Sequence, residues 1–228
     1  MKILLKDFMQ ESDDAPDEIK SPALSDIYED ASSFTITFDE QKEINCIGIG
    51  YTDATSITIT DGLYTRTILI TQDAPEQNGL YTFAKLGEDA EYGDTFTITH
   101  NGSFIGRVAI GIYRTLGTNP TKEIGWYSTE ENRKTESGQI IPGAGGYSGR
   151  RAEMDVRYKI DDDVYDDIND AYATQISKGF PFFILFDDEQ HKLPTSMLHF
   201  YATAPIELLQ SSSYRFLYSY KFSFMESF

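Results

Sequence analysis

Phe34-Thr35-Ile36-Thr37-Phe38 alternates apolar side chains with threonine. In an extended chain successive side chains leave opposite faces, so this stretch is apolar on one side and hydroxylated on the other. The same two-residue period returns in Ile57-Thr58-Ile59-Thr60 and in Thr95-Phe96-Thr97-Ile98-Thr99. Such alternation predicts strands with one face in a core and one toward water. Ile44 to Ile49 and Phe104 to Ile112 are denser in apolar residues and read as central strands. Turn formers separate the runs at Asp39-Glu40, Asp61-Gly62, Asn78-Gly79, Tyr92-Gly93-Asp94 and Asn101-Gly102. The last of these, between two apolar strands, predicts a tight hairpin. Many short strands with frequent turns and no long helical pattern predict a jelly-roll-like β-sandwich over residues 32–116.

Toward the C-terminus the pattern changes. Residues 117–150 hold few apolar side chains and many turn formers, including Ser137-Gly138, Pro142-Gly143 and Gly145-Gly146, and read as a long loop or crossover. Residues 151–228 read as a smaller α+β part. Met154, Val156, Tyr158 and Ile160 alternate with charged residues in a half-buried strand. Asp161 to Asp163 suit the positive end of a helix. Val164, Ile168, Tyr172 and Ile176 then repeat every four residues, and Gly179 with Pro181 supplies a stop, so one amphipathic helix is expected over about 163–178. Phe182 to Phe186 is an unbroken apolar run that suits a strand covered on both faces, and Met197 to Ala202 is a further strand. Tyr214, Phe216, Tyr218, Tyr220, Phe222 and Phe224 line one face of the closing strand. They serve core packing, a subunit interface or a sugar-stacking platform. The fold class is therefore mainly β, a sandwich followed by an α+β part with one helix.

Residues 1–31 read as an acidic arm, with Asp13-Asp14-Ala15-Pro16-Asp17-Glu18 at its centre. Such an arm is either loosely packed or docked on a neighbour through Ile3, Leu4, Leu5 and Phe8. Lys6 and Asp7 cut the opening apolar run short of a signal peptide, and no stretch is apolar enough to span a membrane. Expression in a reducing cytoplasm follows from that reading. The 228 residues carry 37 acidic and 19 basic side chains, a net charge of −18, which repels phosphate backbones and argues against nucleic-acid partners. The single cysteine excludes an internal disulfide framework.

No catalytic constellation emerges. Gly48-x-Gly50 lies in a strand with no following helix, and Gly143 to Gly149 lacks the ending of a phosphate loop. Gly146-Tyr147-Ser148-Gly149 misses a nucleophile elbow because Arg150 stands where its last glycine belongs. Cys46 in an apolar strand reads as a buried thiol. His100, His191 and His199 are scattered without zinc spacing. The aspartates at 161–163, 166 and 167 lack the glycine of a calcium loop and read as a charged helix start. A hydrolase needs two carboxylates in one pocket, and nothing places such a pair. The expectation is no enzyme, no catalytic residues, no cofactor and no metal.

The order of the segments carries a resemblance. Phe34 to Phe38 followed by Glu43-Ile44-Asn45-Cys46-Ile47-Gly48-Ile49-Gly50-Tyr51 resembles the opening strands of galactose-binding, discoidin-like sandwiches. Gly102 to Ile112, then Asn119-Pro120, Gly145 to Arg151, Gly179-Phe180-Pro181 and Phe222-Ser223-Phe224-Met225-Glu226 look like the succession in a group of tailed-bacteriophage virion proteins. The resemblance implies a structural protein of a phage tail or tail tip. Its partners are then other virion proteins and copies of itself, and its location the virion, after synthesis in the bacterial cytoplasm without a signal peptide or membrane insertion. The alternative is a carbohydrate-binding module for host-surface glycan, although the sugar contacts of such modules are not identifiable here. Leu4, Leu5, Phe8, Trp126, Tyr127, Tyr147, Tyr218 and Tyr220 are the candidate partner-contact residues, drawn from the arm, the long loop and the aromatic strand.

Overall fold

A computed structural model describes residues 2–21, 26–70, 72–73, 80–85, 91–115, 121–128, 133–134, 140–141, 148–156, 166, 169–170, 182–185, 197–202, 207–210 and 218–226. The chain is mainly β. Its strands are β1 (Lys2–Asp7), β2 (Ser33–Ile44), β3 (Cys46–Thr52), β4 (Ser56–Thr60), β5 (Thr65–Leu69), β6 (Gln72–Asp73), β7 (Leu80–Lys85), β8 (Glu91–His100) and β9 (Val108–Thr115). They continue with β10 (Thr121–Ser128), β11 (Arg133–Lys134), β12 (Ile140–Ile141), β13 (Ser148–Val156), β14 (Phe182–Leu185), β15 (Met197–Ala202), β16 (Glu207–Gln210) and β17 (Tyr218–Glu226). A 3-10 turn at Phe8–Glu11 and a single helical turn, α1 (Asp17–Lys20), follow β1.

The three threonine-alternating segments pair in one four-stranded antiparallel sheet of order β2-β8-β4-β5. The register sets Thr35 opposite Thr97 and Thr97 opposite Thr60, with Thr60 facing Thr65; Ser33, Thr99, Thr58 and Thr67 form a parallel row. Hydroxyls meet across strands, Ser33 to Thr99 at 3.0 Å and Thr58 to Thr67 at 3.2 Å. The opposite face supplies Phe34, Ile36, Phe38, Ile57, Ile59, Phe96 and Ile98 to a core shared with Ile47, Ile49, Val108 and Ile110 of the second sheet. Phe96 and Ile98 are no more than 1 % exposed. The two-residue period therefore does what it predicts, and burial of each large side chain contributes about 1.5–3 kcal/mol.

The second sheet runs β10-β13-β17-β15-β14-β1-β9-β3-β7-β6, with β16 also paired to β17. β3 is central, between β9 and β7, as its apolar density predicts. Phe182, Phe183 and Ile184 of β14 are all buried, which is the double-sided burial expected of an unbroken apolar run. Beyond the sandwich the sheet curls, so that β14 and β15 approach β7. Leu4, Cys46, Ala109 and Phe183 pack together on the face turned away from the main core. A β-carbon on Gly48 would lie 2.5 Å from Cγ of Phe183, so this glycine is where the aromatic ring seats against β3.

Three expectations need correction. Residues 1–31 are not a loose arm throughout. β1 lies inside the sheet between β9 and β14, and Phe8, Met9, Ala15 and Ile19 join the main core. Local acidity conceals this, because the few apolar side chains fall at the positions that face inward. Residues 117–150 are not all loop, since Thr121–Ser128 and Ser148–Val156 pair as antiparallel strands. Asn101-Gly102 does not close a hairpin, for β8 and β9 belong to different sheets. Instead Asn101 Oδ1 accepts hydrogen bonds from the N–H groups of Thr55 and Ser56 at 2.9 and 3.0 Å, pinning the crossing to the start of β4. The tight turn is Asp61-Gly62, where Gly62 adopts φ 89° and Asp61 Oδ1 accepts from the N–H of Leu63 and Tyr64. The helix expected over 163–178 lies largely outside the described residues; Asp166, Asn169 and Asp170 within it are helical.

Candidate functional site

Two built features mark the sandwich. The first is a buried joint. Asp7 ends β1 and caps the 3-10 turn, its Oδ1 accepting from the N–H of Met9 at 3.0 Å. Its other oxygen accepts from Arg107 Nη2 at 2.6 Å. Arg107 Nη1 donates to the carbonyls of Lys20 at 2.6 Å and Ser21 at 3.3 Å. Arg107 is 1 % exposed and Asp7 5 %. One guanidinium thus fastens β1, the end of α1 and the approach to β9. Burial raises the Asp7 carboxyl above the ordinary carboxylate range, against the pull of Arg107 and of backbone groups at Met9 and Ile110. Outside this joint, Lys42 Nζ lies 2.8 Å from both Glu11 and Glu40 and 5.4 Å from the ring centre of Phe8, which holds the 3-10 turn against β2.

The second feature is a clasp of loops at one end of the sandwich. Asp53 accepts from the N–H of Ser103 at 2.8 Å, from the N–H of Phe104 at 3.1 Å and from Ser103 Oγ at 2.5 Å. Desolvation pushes the Asp53 carboxyl up, but the hydrogen bonds from Ser103 and Phe104 together outweigh it and leave it below the usual value. A lowered carboxylate adds stability above its unfolded value near 3.8, and that stability is lost as pH falls through the depressed folded value. Asp53→Asn is therefore expected to lower the melting temperature at about pH 6, and the gap to the wild type is expected to shrink as pH falls below the unfolded value near 3.8. An unchanged gap across that range, read by thermal melts in circular dichroism, would show that the clasp is not charge-assisted.

The exposed large apolar side chains among the described residues are Leu63, Tyr64 and Leu69, at 88, 60 and 70 %. All three sit on the β4–β5 hairpin or its outer strand. Beneath the hairpin, Ile44, Ile59, Thr60, Asp61, Tyr64, Arg66 and Phe96 line a small recess. No group of three or more histidine, cysteine, aspartate or glutamate side chains suited to a metal occurs among the described residues. No helix among them is long and apolar enough to cross a membrane. Cys46 is fully buried and its thiol is pushed well up by desolvation, as a structural cysteine should be.

The sequence-derived contact residues are dispersed. Leu4 and Phe8 are buried inside the chain's own core, Leu4 at 1 % and Phe8 at 9 %, and so are not offered to a neighbour. Leu5 lies in β1, between β14 and β9. Trp126 and Tyr127 lie in β10, opposite Arg150 and Gly149, and β10 forms one end of the second sheet. Tyr218 and Tyr220 lie in β17, opposite Gln210 and Leu208 of β16. Tyr147 is outside the described residues. The sequence reading overlooked Leu63, Tyr64 and Leu69. The available signal was three large apolar residues around an Asp-Gly turn in a stretch, 62–72, that contains no carboxylate.

A scan against protein-family models finds no match, and a search of curated proteins finds none. Among solved structures, a chain in the virion of a native gene transfer agent particle is 11% identical over 51% of this chain and 85% of that one, with a TM-score of 0.31. A chain in the tail of an empty gene transfer agent particle with C6 symmetry is 12% identical over 52% and 84%, with a TM-score of 0.32. CpGH89CBM32-6 produced by Clostridium perfringens is 19% identical over 44% and 89%, with a TM-score of 0.30. These likenesses are too loose to bear on fold or function.

Proposed function

We propose that the chain is a structural component of a tailed-bacteriophage particle, in the tail or tail tip, acting through protein–protein interfaces and catalysing no reaction. The observation that carries this reading is the exposure of Leu63, Tyr64 and Leu69 along the β4–β5 hairpin, on a sandwich with a well-buried core. Large apolar side chains left exposed along one hairpin and its outer strand support a contact surface there. The order of sequence segments, which resembles that of phage virion proteins, names the kind of assembly, and a galactose-binding-like, jelly-roll-like sandwich is the fold proposed to go with it. Particles purified by density gradient from a lysate of the strain that carries the gene should contain the chain in stoichiometric amount by mass spectrometry. Its recovery only in the soluble fraction would sink the reading.

The alternative, a carbohydrate-binding module, draws on the recess where half-exposed Tyr64 adjoins Asp61 and Arg66. An aromatic face beside hydrogen-bonding groups is the chemistry that sugars require. A glycan array would show binding that Tyr64→Ala abolishes; silence across the array removes this alternative.

A further inference from the structure

We infer that β5 is a self-pairing edge, through which two copies of the chain join their four-stranded sheets into one continuous eight-stranded sheet. The inference rests on the assembly reading and names its surface. β5 is the last strand of its sheet, and among the described residues no strand pairs with its outer side. The ladder alternates: the N–H of Asp61 bonds Tyr64, and the N–H of Ile70 bonds Thr55. In antiparallel pairing bonded and non-bonded residue pairs alternate, so Arg66 and Ile68 exchange their bonds with β4. Thr65, Thr67 and Leu69 consequently turn their N–H and C=O groups away from the sheet. That row is a template for another strand.

The occupant follows from charge and register. A chain of net charge −18 repels its own copies over most approaches. The other edge of this sheet is β2, which presents exposed Asp39, Glu40 and Glu43 and is thereby guarded against pairing. β5 carries no carboxylate. Its register with a second β5 is also decided. Centred on Thr67, antiparallel pairing sets Thr67 against Thr67 and Thr65 against Leu69, so that all three outward-facing residues are bonded. Centred on Arg66, it would set two guanidiniums opposite each other and leave Leu69 out. The Thr67-centred register also brings each exposed hairpin tip, Leu63 and Tyr64, alongside the far end of the partner strand. Five residues of pairing with these apolar flanks make an interface at the low end of the stable range, so the dimer should depend on concentration.

The test is sedimentation velocity over a concentration series, with the full-length wild type and two variants. Thr67→Pro removes an outward N–H without touching the ladder to β4, and proline is tolerated on edge strands. Leu69→Lys replaces a 70 % exposed side chain and puts a charge on the edge. The wild type is expected to dimerise, and both variants to raise the dissociation constant at least tenfold with unchanged circular dichroism. Air oxidation should link Thr67→Cys, but not Thr35→Cys on β2, into a covalent dimer, since Cys46 is buried. A wild type monomeric at every concentration, or a dimer indifferent to both variants, overturns the inference. So does a monomer that forms a Thr67→Pro-sensitive complex with another particle protein, because the occupant is then not a second copy. Particles that contain the chain while it shows no β5-dependent dimer defeat this pairing and leave the particle reading standing. A β5-dependent dimer absent from particles does the reverse.

Discussion

Arg107→Met should lower the unfolding free energy by about 3–5 kcal/mol, the cost of breaking a buried ion pair by removing one partner. The effect is large because three acceptors lose their donor together: Asp7 Oδ2 and the carbonyls of Lys20 and Ser21. The carboxylate then stays buried without the Arg107 guanidinium beside it. Methionine fills much of the arginine's volume, so the loss reports the interaction rather than a cavity. The cost also has a pH dependence of known sign. Asp7 already titrates above its unfolded value, and removing Arg107 raises it further. A raised carboxyl contributes stability that is full below about pH 3.8 and lost as pH rises through the folded value. The gap between variant and wild type should therefore widen from about pH 4 to pH 7. Denaturant titrations at both pH values measure it; a loss under about 1 kcal/mol at pH 7 would show that Arg107 is not the fastening point.

Phe183→Ala should cost about 3–5 kcal/mol, as expected for deleting a fully buried aromatic ring. Phe183 is 1 % exposed and packs with Leu4, Cys46 and Ala109, residues of β1, β3 and β9. A reciprocal substitution makes the claim sharper. Gly48→Ala sets a β-carbon 2.5, 2.6 and 2.9 Å from three atoms of the same ring, and overpacking of this kind costs about 1–3 kcal/mol. In the Phe183→Ala background the obstacle is gone, so Gly48→Ala should cost nothing or recover stability. The double-mutant cycle should show a coupling of about 1 kcal/mol or more. Additive losses would mean that the ring does not rest on Gly48. Because Phe183 lies beyond residue 151 and Gly48 in the sandwich, the cycle also tests whether the two blocks unfold together.

What the sequence discloses and what it conceals have physical causes. Phe34, Ile36, Ile57, Ile59, Phe96 and Ile98 were legible as an inward-facing set because the period of a strand is local and needs no partner to be seen. The run at Phe182 was legible as a doubly covered strand for the same reason. Asn101-Gly102 misled because the dipeptide states that the chain turns, not which sheet the next strand enters. The N-terminal residues misled because average acidity outvoted Leu4, Phe8, Met9 and Ile19, whose burial depends on strands far along the chain. The Asp7–Arg107 joint had only a faint signature, a lone cation at the head of the apolar run Val108 to Ile112 and a lone carboxylate at the foot of another. The exposed hairpin was invisible to a reading that looked for contact residues in loops and aromatic runs, because exposure of Leu63 and Leu69 is a property of the assembled surface.

The position of β1 has a consequence for how the polypeptide is made. Lys2 and Ile3 face Thr115 and Arg114 on one side and Leu185 and Ile184 on the other. Ile3 and its second neighbour Ile184 stand roughly 180 residues apart in sequence, which at ordinary elongation rates separates their emergence from the ribosome by on the order of ten seconds or longer. Throughout that interval the side of β1 that faces β14 is without its strand partner, and synthesis of β14 closes it. Late closure of the sheet follows from seating β1 between strands that lie so far along the chain.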